Sequence, residues 1–259
     1  MHPNQTNLWE LMWALARTDF KLRFHGSLLG YLWALLKPLS LFLILNFVFS
    51  SIFNPMNTGT RYYSLQLITS LMLFGFFQDG TMNGLTALVH KSTLVTKIYV
   101  PRWIIILAST IHTTLVFAIN LIIISLFFLW YGLWPGLTGI LAFAFYIVLT
   151  YGLILAFSFM AAPLFVRFRD LVQVWEVVSA ALFYATPIIY PLTIFPAHYQ
   201  SYVLVNPMAF IVHYTKMALT EQQFAGLGEN ALFAAVVALL FGLGLFIYGR
   251  LEPSVAEHI

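Results

Sequence analysis

The chain has 259 residues, 61% of them apolar and only 8% charged. A soluble surface needs roughly a quarter to a third of its positions charged, so lipid must be the solvent for most of this protein. The net charge of +3 is too small and dispersed to argue for nucleic acid, and the lack of cysteine excludes disulfides, thiolate catalysis and Cys-ligated metals.

A helix that crosses a ~30 Å hydrocarbon core needs about 20 mostly apolar residues. Residues 6–25 are too polar for that. Leu8, Leu11, Met12 and Leu15 fall at i, i+3, i+4 and i+7 on one helical face, with Trp9, Trp13, Ala16 and Phe20 in an adjacent stripe. Arg17, Lys21 and Arg23 gather at the end nearest the first span. The pattern predicts an interfacial helix, either a plain anchor or a lever along the cytoplasmic face. No apolar run near ten residues precedes these charges, so no cleaved signal peptide is expected.

Six spans follow, over residues 30–53, 65–89, 103–130, 137–165, 171–190 and 231–248. The predicted fold is all-α, a polytopic membrane protein built as a single domain. The connection from Leu88 to Arg102 is long enough for two or three helical turns, and Pro101 suits the start of the third span. It either fixes topology by its charge or serves as a contact. Between spans four and five, Arg167-Phe-Arg-Asp170 forms a very short turn, with Asp170 where a helix N-terminus favours negative charge. Residues 191–228 are rich in proline and apolar side chains. Asn206-Pro207 is a helix start that predicts a helix to about Thr220, on the order of 20 Å long and too short to cross. The stretch reads as a re-entrant outer hairpin or an amphipathic outer loop.

Lysine and arginine set the orientation. Arg17, Lys21, Arg23, Lys37, Lys91, Lys97, Arg102, Arg167, Arg169 and Arg250 lie on one side, ten of the twelve; Arg61 and Lys216 lie on the other. Both termini are therefore expected in the cytoplasm.

The chemistry of catalysis is missing. No Gly-x-x-x-x-Gly-Lys-Ser/Thr cradle is present, so the chain cannot bind ATP by a P-loop, and no His-Glu-x-x-His occurs. Asp79 and Glu176 are isolated acids within spans, without an assigned role. Phe74, Phe76, Phe77, Tyr184, Tyr190, Tyr199 and Tyr202 offer aromatic surface that either stacks on sugar rings or forms interface belts. Tyr184, Pro187 and Tyr190, at i, i+3 and i+6, are expected along one side of span five, with a bend at Pro187.

Arg17-Thr-Asp-Phe-Lys-Leu-Arg-Phe24, Ser27-Leu-Leu-Gly-Tyr-Leu-Trp-Ala-Leu-Leu-Lys-Pro-Leu39, Leu94-Val-Thr-Lys-Ile-Tyr-Val-Pro-Arg102, Phe168-Arg-Asp170, Tyr184-Ala-Thr-Pro-Ile-Ile-Tyr-Pro191 and Asn206-Pro207 occur in this order. The pattern resembles the permeases of ABC-2 type exporters, in particular those of lipid-linked polysaccharides: O-antigen, teichoic acid and some capsules. His90 departs from it, the family more often having a small or amide residue there. The resemblance implies a homodimer in the bacterial cytoplasmic (inner) membrane, bound to two copies of a separate P-loop ATPase subunit that holds ATP and Mg. It implies an undecaprenyl-diphosphate-linked glycan as substrate, O-antigen ranking first, and no catalytic residue, metal or cofactor on this chain. It places Arg17, Asp19, Lys21, Lys91, Lys97, Arg167, Arg169 and Asp170 at the ATPase. Within that frame, Tyr184, Tyr190, Phe74 and Phe77 are candidates for the substrate pathway, and Arg23 and Lys37 for contact with the diphosphate. A membrane-embedded enzyme on lipid-linked sugars would need several loop carboxylates, and a secondary transporter would show internal repeats; the sequence offers neither clearly.

Overall fold

The structure, a computed structural model, describes residues 6–24, 29–30, 32–53, 62–92 and 100–258. Among them it is all-helical. The helices are α1 (Thr6–Phe24), α2 (Leu32–Phe53), α3 (Tyr63–His90), α4 (Arg102–Trp130), α5 (Gly136–Arg167), α6 (Leu171–Ala185), α7 (Ala197–Val203), α8 (Pro207–Thr220) and α9 (Leu227–His258), with one 3-10 turn at Leu192–Ile194. Four are long and apolar enough to cross a membrane: Leu32–Ser50, Arg102–Trp130, Gly136–Arg167 and Leu227–Pro253. The chain is thus a multi-pass membrane protein.

Helix α3 stands apart from those four. Its 28 residues reach about 42 Å, yet it carries Gln66, Thr69, Ser70, Gln78, Asp79, Thr81 and Asn83. It can be polar because it is enclosed: α2, α4, α5, α6 and α8 all pack on it. Lipid tails are as apolar as leucine, so helices associate in a membrane through close packing and hydrogen bonds rather than through a hydrophobic drive. Both are present. Gly80 and Gly84, four residues apart, let α5 approach so closely that a Cβ would fall 2.7 Å from Ile154 and 1.9 Å from the Ser158 hydroxyl. On the other side of α5, Gly244 of α9 sits where a Cβ would lie 2.5 Å from the Ala156 carbonyl oxygen. Toward α4, Phe76 stacks on Phe117 with centroids 4.4 Å apart, and the Asn83 amide donates to Thr113 at 2.9 Å. Toward α2, Ser64 donates to Asn46 at 2.7 Å.

Helix α1 lies against the start of α4. Met12 and Ala16 are buried on Ile104 and Ala108, with Leu8 and Leu15 beside them, while Trp9 and Trp13 face outward. The expected stripe of Trp9, Trp13, Ala16 and Phe20 is thereby divided, since Ala16 is small enough to meet α4 and the two indoles are not.

Span five requires a correction. The helix stops at Ala185, and residues 186–190 form bends rather than helix. Pro187 has no N–H to continue the ladder, and it disfavours α conformation at Thr186, which is extended with ψ at 134°. Tyr184, Pro187 and Tyr190 therefore do not share a helical stripe. At 15 residues, α6 is about 22 Å long. The outer stretch matches its expected start and end: Asn206 caps α8 by accepting from the Met208 N–H at 3.0 Å, Pro207 takes the first helical position, and the helix ends at Thr220.

Candidate functional site

At the end of the bundle that the lysine and arginine pattern assigns to the cytoplasm, three groups of residues are expected to make contacts. Asp19 of α1 is paired with Lys91 at the end of α3. These two side chains face each other, which ties the interfacial helix to the start of the Leu88–Lys97 segment. The pair borders a cavity of about 540 Å³ between α1, α3 and α4, lined by Thr18, Asn83, His90 and Ser109 among others. Arg17 and Lys21 are exposed on α1. Lys97 and residues 93–99 as a whole, the Arg23 side chain and Arg61 lie outside the described residues.

The turn from α5 to α6 is exposed over Arg167, Phe168, Arg169 and Asp170. The Arg167 guanidinium lies 5.5 Å from the centroid of the Phe168 ring and that of Arg169 lies 5.7 Å from Phe165, so each cation rests on an aromatic face while remaining exposed. Asp170 takes the N-cap position of α6, as the charge pattern predicts. Its carboxylate makes no capping hydrogen bond; its carbonyl accepts from Val174 at 3.1 Å.

At the opposite end of the bundle, the 186–190 turn is held on three sides. Tyr63 of α3 donates to the Ile189 carbonyl at 2.9 Å. Asn206 donates to the Thr186 hydroxyl at 3.1 Å. Lys216 of α8, which is buried, donates to the carbonyls of Pro187 and of Ile188, the latter at 3.1 Å. Sequence reasoning missed this role, although Lys216 was one of only two basic residues that the charge pattern set apart from the other ten and so carried a signal.

The aromatic candidates divide. Phe74 and Phe77 are buried within the subunit: Phe74 meets Phe183 at 5.4 Å and Phe77 meets Trp175 at 6.2 Å, which packs α3 on α6. Tyr184 is exposed, and Tyr190 donates to its carbonyl at 2.7 Å. Both border an apolar cavity of about 300 Å³ with Phe49, Phe183 and Phe195. Lys37 does not border this cavity; it lines a larger groove between α2, α3 and α4. Glu176 is exposed on α6, between the exposed Val174 and Val177. No group of three acidic or histidine side chains that could hold a metal occurs among the described residues.

Comparison with known proteins agrees with this architecture. The family model described as "ABC-2 type transporter" matches residues 10–218. The O-antigen export system permease protein RfbA of Klebsiella pneumoniae is 29% identical over 216 residues, 82% of this chain and 81% of that protein. The protein of the same name in Myxococcus xanthus is 25% identical over 251 residues, 96% of this chain and 95% of its own length. The polysialic acid transport protein KpsM of Escherichia coli is 26% identical over 247 residues, 93% of each chain.

Proposed function

The chain belongs to the ABC-2 type transporter family, as a non-catalytic transmembrane permease subunit, and from that premise we propose that it exports a lipid-linked polysaccharide, O-antigen in first place, across the bacterial cytoplasmic membrane. The observation that carries the reading is the similarity to O-antigen export permeases over more than four fifths of the chain. A capsule substrate is the second reading, favoured by the similarity to KpsM; teichoic acid ranks with it on the sequence pattern alone.

The glycan is carried on undecaprenyl diphosphate, and its path runs between two copies of the subunit. The exposed faces of α2 and α6 support the homodimer. Ser179 alone is buried in α6, and Glu176 on the exposed face would be costly against hydrocarbon but not against a second copy or water. Six spans cross: α2, α3, α4, α5, α9, and α6 extended by the 186–190 turn. Both termini are cytoplasmic, and α7 and α8 form the re-entrant outer hairpin. Two copies of a P-loop ATPase bind ATP and Mg and meet α1, the Leu88–Lys97 segment and the Arg167–Asp170 turn. Tyr184 and Tyr190 border the path with Phe74 and Phe77 packed behind them, and Arg23 and Lys37 meet the diphosphate.

Deleting the chain from its host is expected to abolish the surface glycan while the lipid-linked form accumulates inside. Replacing Tyr184 and Tyr190 together by alanine is expected to reduce export of long chains and leave ATPase binding intact. Surface glycan of normal amount and length in the deletion strain would overturn the function; normal export by the double variant would return the two tyrosines to an interface belt.

A further inference from the structure

Met12, Ala16 and Asp19 fall at i, i+4 and i+7, on one face of α1. The first two are buried on Ile104 and Ala108, near the start of α4. The third meets a different helix: it is paired with Lys91, the residue that follows the end of α3. The Lys91 and Asp19 side chains are only 13% and 24% exposed. Arg17 and Lys21, two residues to either side of Asp19, are exposed. Three neighbouring charges are thereby sorted, with the cations left outside and the acid tied within the subunit.

The face of α1 thus reaches both ends of the connection from α3 to α4. Lys91 opens that connection. Val100 lies at its far end and packs on the same cluster as Met12 and Ala16. Met12 and Asp19 are about 10 Å apart along the helix axis. The buried apolar residues of α1 pack toward α4; toward α3 lies the cavity of about 540 Å³, with Asn83, Thr86 and Ser109 on its walls. At this level, charge rather than apolar packing joins α1 to α3. Removing one partner of such an enclosed pair leaves the other charge without a counterion. The start of α4 is held from a second direction, since Arg102 donates to the Glu252 carbonyl of α9 at 2.7 Å. A push on a connection moves the helices it joins only where the connection cannot bend instead, and rigid elements carry coupling of this kind.

We propose that Asp19 and Lys91 are positioning residues: through them α1 braces the connection from α3 to α4, so that a displacement imposed on it by the ATPase moves both helices together. The proposal rests on the reading of that connection as an ATPase contact. It assigns the pair to the framework of the permease and leaves the exposed Arg17 and Lys21 to the ATPase surface.

The test is the amount of glycan exported per ATP hydrolysed by the complex of permease and ATPase. Asp19→Asn and Lys91→Met are each expected to lower that ratio about tenfold. Exchanging the charges, Asp19→Lys together with Lys91→Asp, is expected to return it to within about twofold of the parent chain. A direct contact with the ATPase would not be repaired in this way, because the ATPase side chain would then face the wrong charge. An unchanged ratio in the single variants, or an exchange no better than they are, overturns the brace. Where the single variants fail to assemble with the ATPase, the absence of cysteine from the parent chain allows a second form. Asp19→Cys with Lys91→Cys, bridged by a short bifunctional thiol reagent in membrane vesicles, is expected to regain export. Export that stays lost after bridging overturns the proposal. The underlying reading is tested by itself with Lys97→Cys, which a thiol-to-amine crosslinker should join to the ATPase. If no crosslink forms, the ATPase contact falls and the brace with it. If it forms and neither exchange nor bridging restores export, the brace alone falls.

Discussion

Helices α3 and α6 pack on each other and yet obey opposite rules. Twenty of the 28 residues of α3 are buried, including Gln66, Thr69, Ser70 and Thr81. Of the 15 residues of α6 only Ser179 is buried, while Val174, Val177 and Tyr184 face outward. In water the more polar helix would be the exposed one. Here the polar helix is enclosed by protein that can satisfy its side chains, and the apolar helix is left open because lipid or a second copy can cover it. Burial in this protein reports on who the neighbours are, not on how apolar the residue is.

The sharpest way to break that contrast is to enlarge one small residue on each helix. Gly84→Leu would drive a side chain into Ser158, so α3 and α5 would have to part. The expected cost is about 3 kcal/mol or more, seen as loss of monodisperse protein extracted from the membrane. Ala180→Leu on the exposed face of α6 should leave that yield unchanged. Equal yields would remove the distinction between the two helices.

A second, smaller effect concerns the outer end of α6, which is held by polar groups from α3 and α8. Lys216→Met keeps an unbranched apolar stem and withdraws the ammonium from the Pro187 and Ile188 carbonyls. A loss of about 1–3 kcal/mol is expected, read as faster hydrogen exchange confined to the 186–190 turn and the end of α6. Exchange that rises uniformly through the subunit would mean that Lys216 supports the core rather than this turn.

The smallest effect compares two polar side chains. Gln66 of α3 donates to Thr220 at 2.9 Å and to Glu221 at 3.3 Å. Gln66→Leu should cost about 1 kcal/mol, in keeping with the ~0.6 kcal/mol average of an interhelical hydrogen bond in a membrane, and should lower the midpoint of thermal unfolding by a few degrees. Glu176→Gln on α6 should leave that midpoint unchanged, since its carboxylate has no partner among the described residues. A drop at Glu176 equal to that at Gln66 would show that α6 is held within the subunit more firmly than its exposure indicates.

Much of the molecule was legible in the sequence. Composition and the lengths of the apolar runs established a helical, lipid-solvated chain, because a membrane requires every backbone group to be bonded within its own segment. Asn206-Pro207 located the start of α8, since capping is a property of two or three adjacent residues. Six motifs in order pointed to the ABC-2 family. Partnership was not legible. Hydropathy gives lipid-facing and protein-facing apolar residues the same value, so neither the enclosure of α3 nor the openness of α6 could be read from it. The pairing of Asp19 with Lys91 was not legible either, since only the fold brings together side chains 72 positions apart. Pro187 looked like a bend within a span, and proved to be where the helix ends, because Tyr63, Asn206 and Lys216 supply donors to the turn that follows. Local chemistry determined what each segment is. Only packing between segments distant in sequence decided which face of each helix meets protein and which is left open.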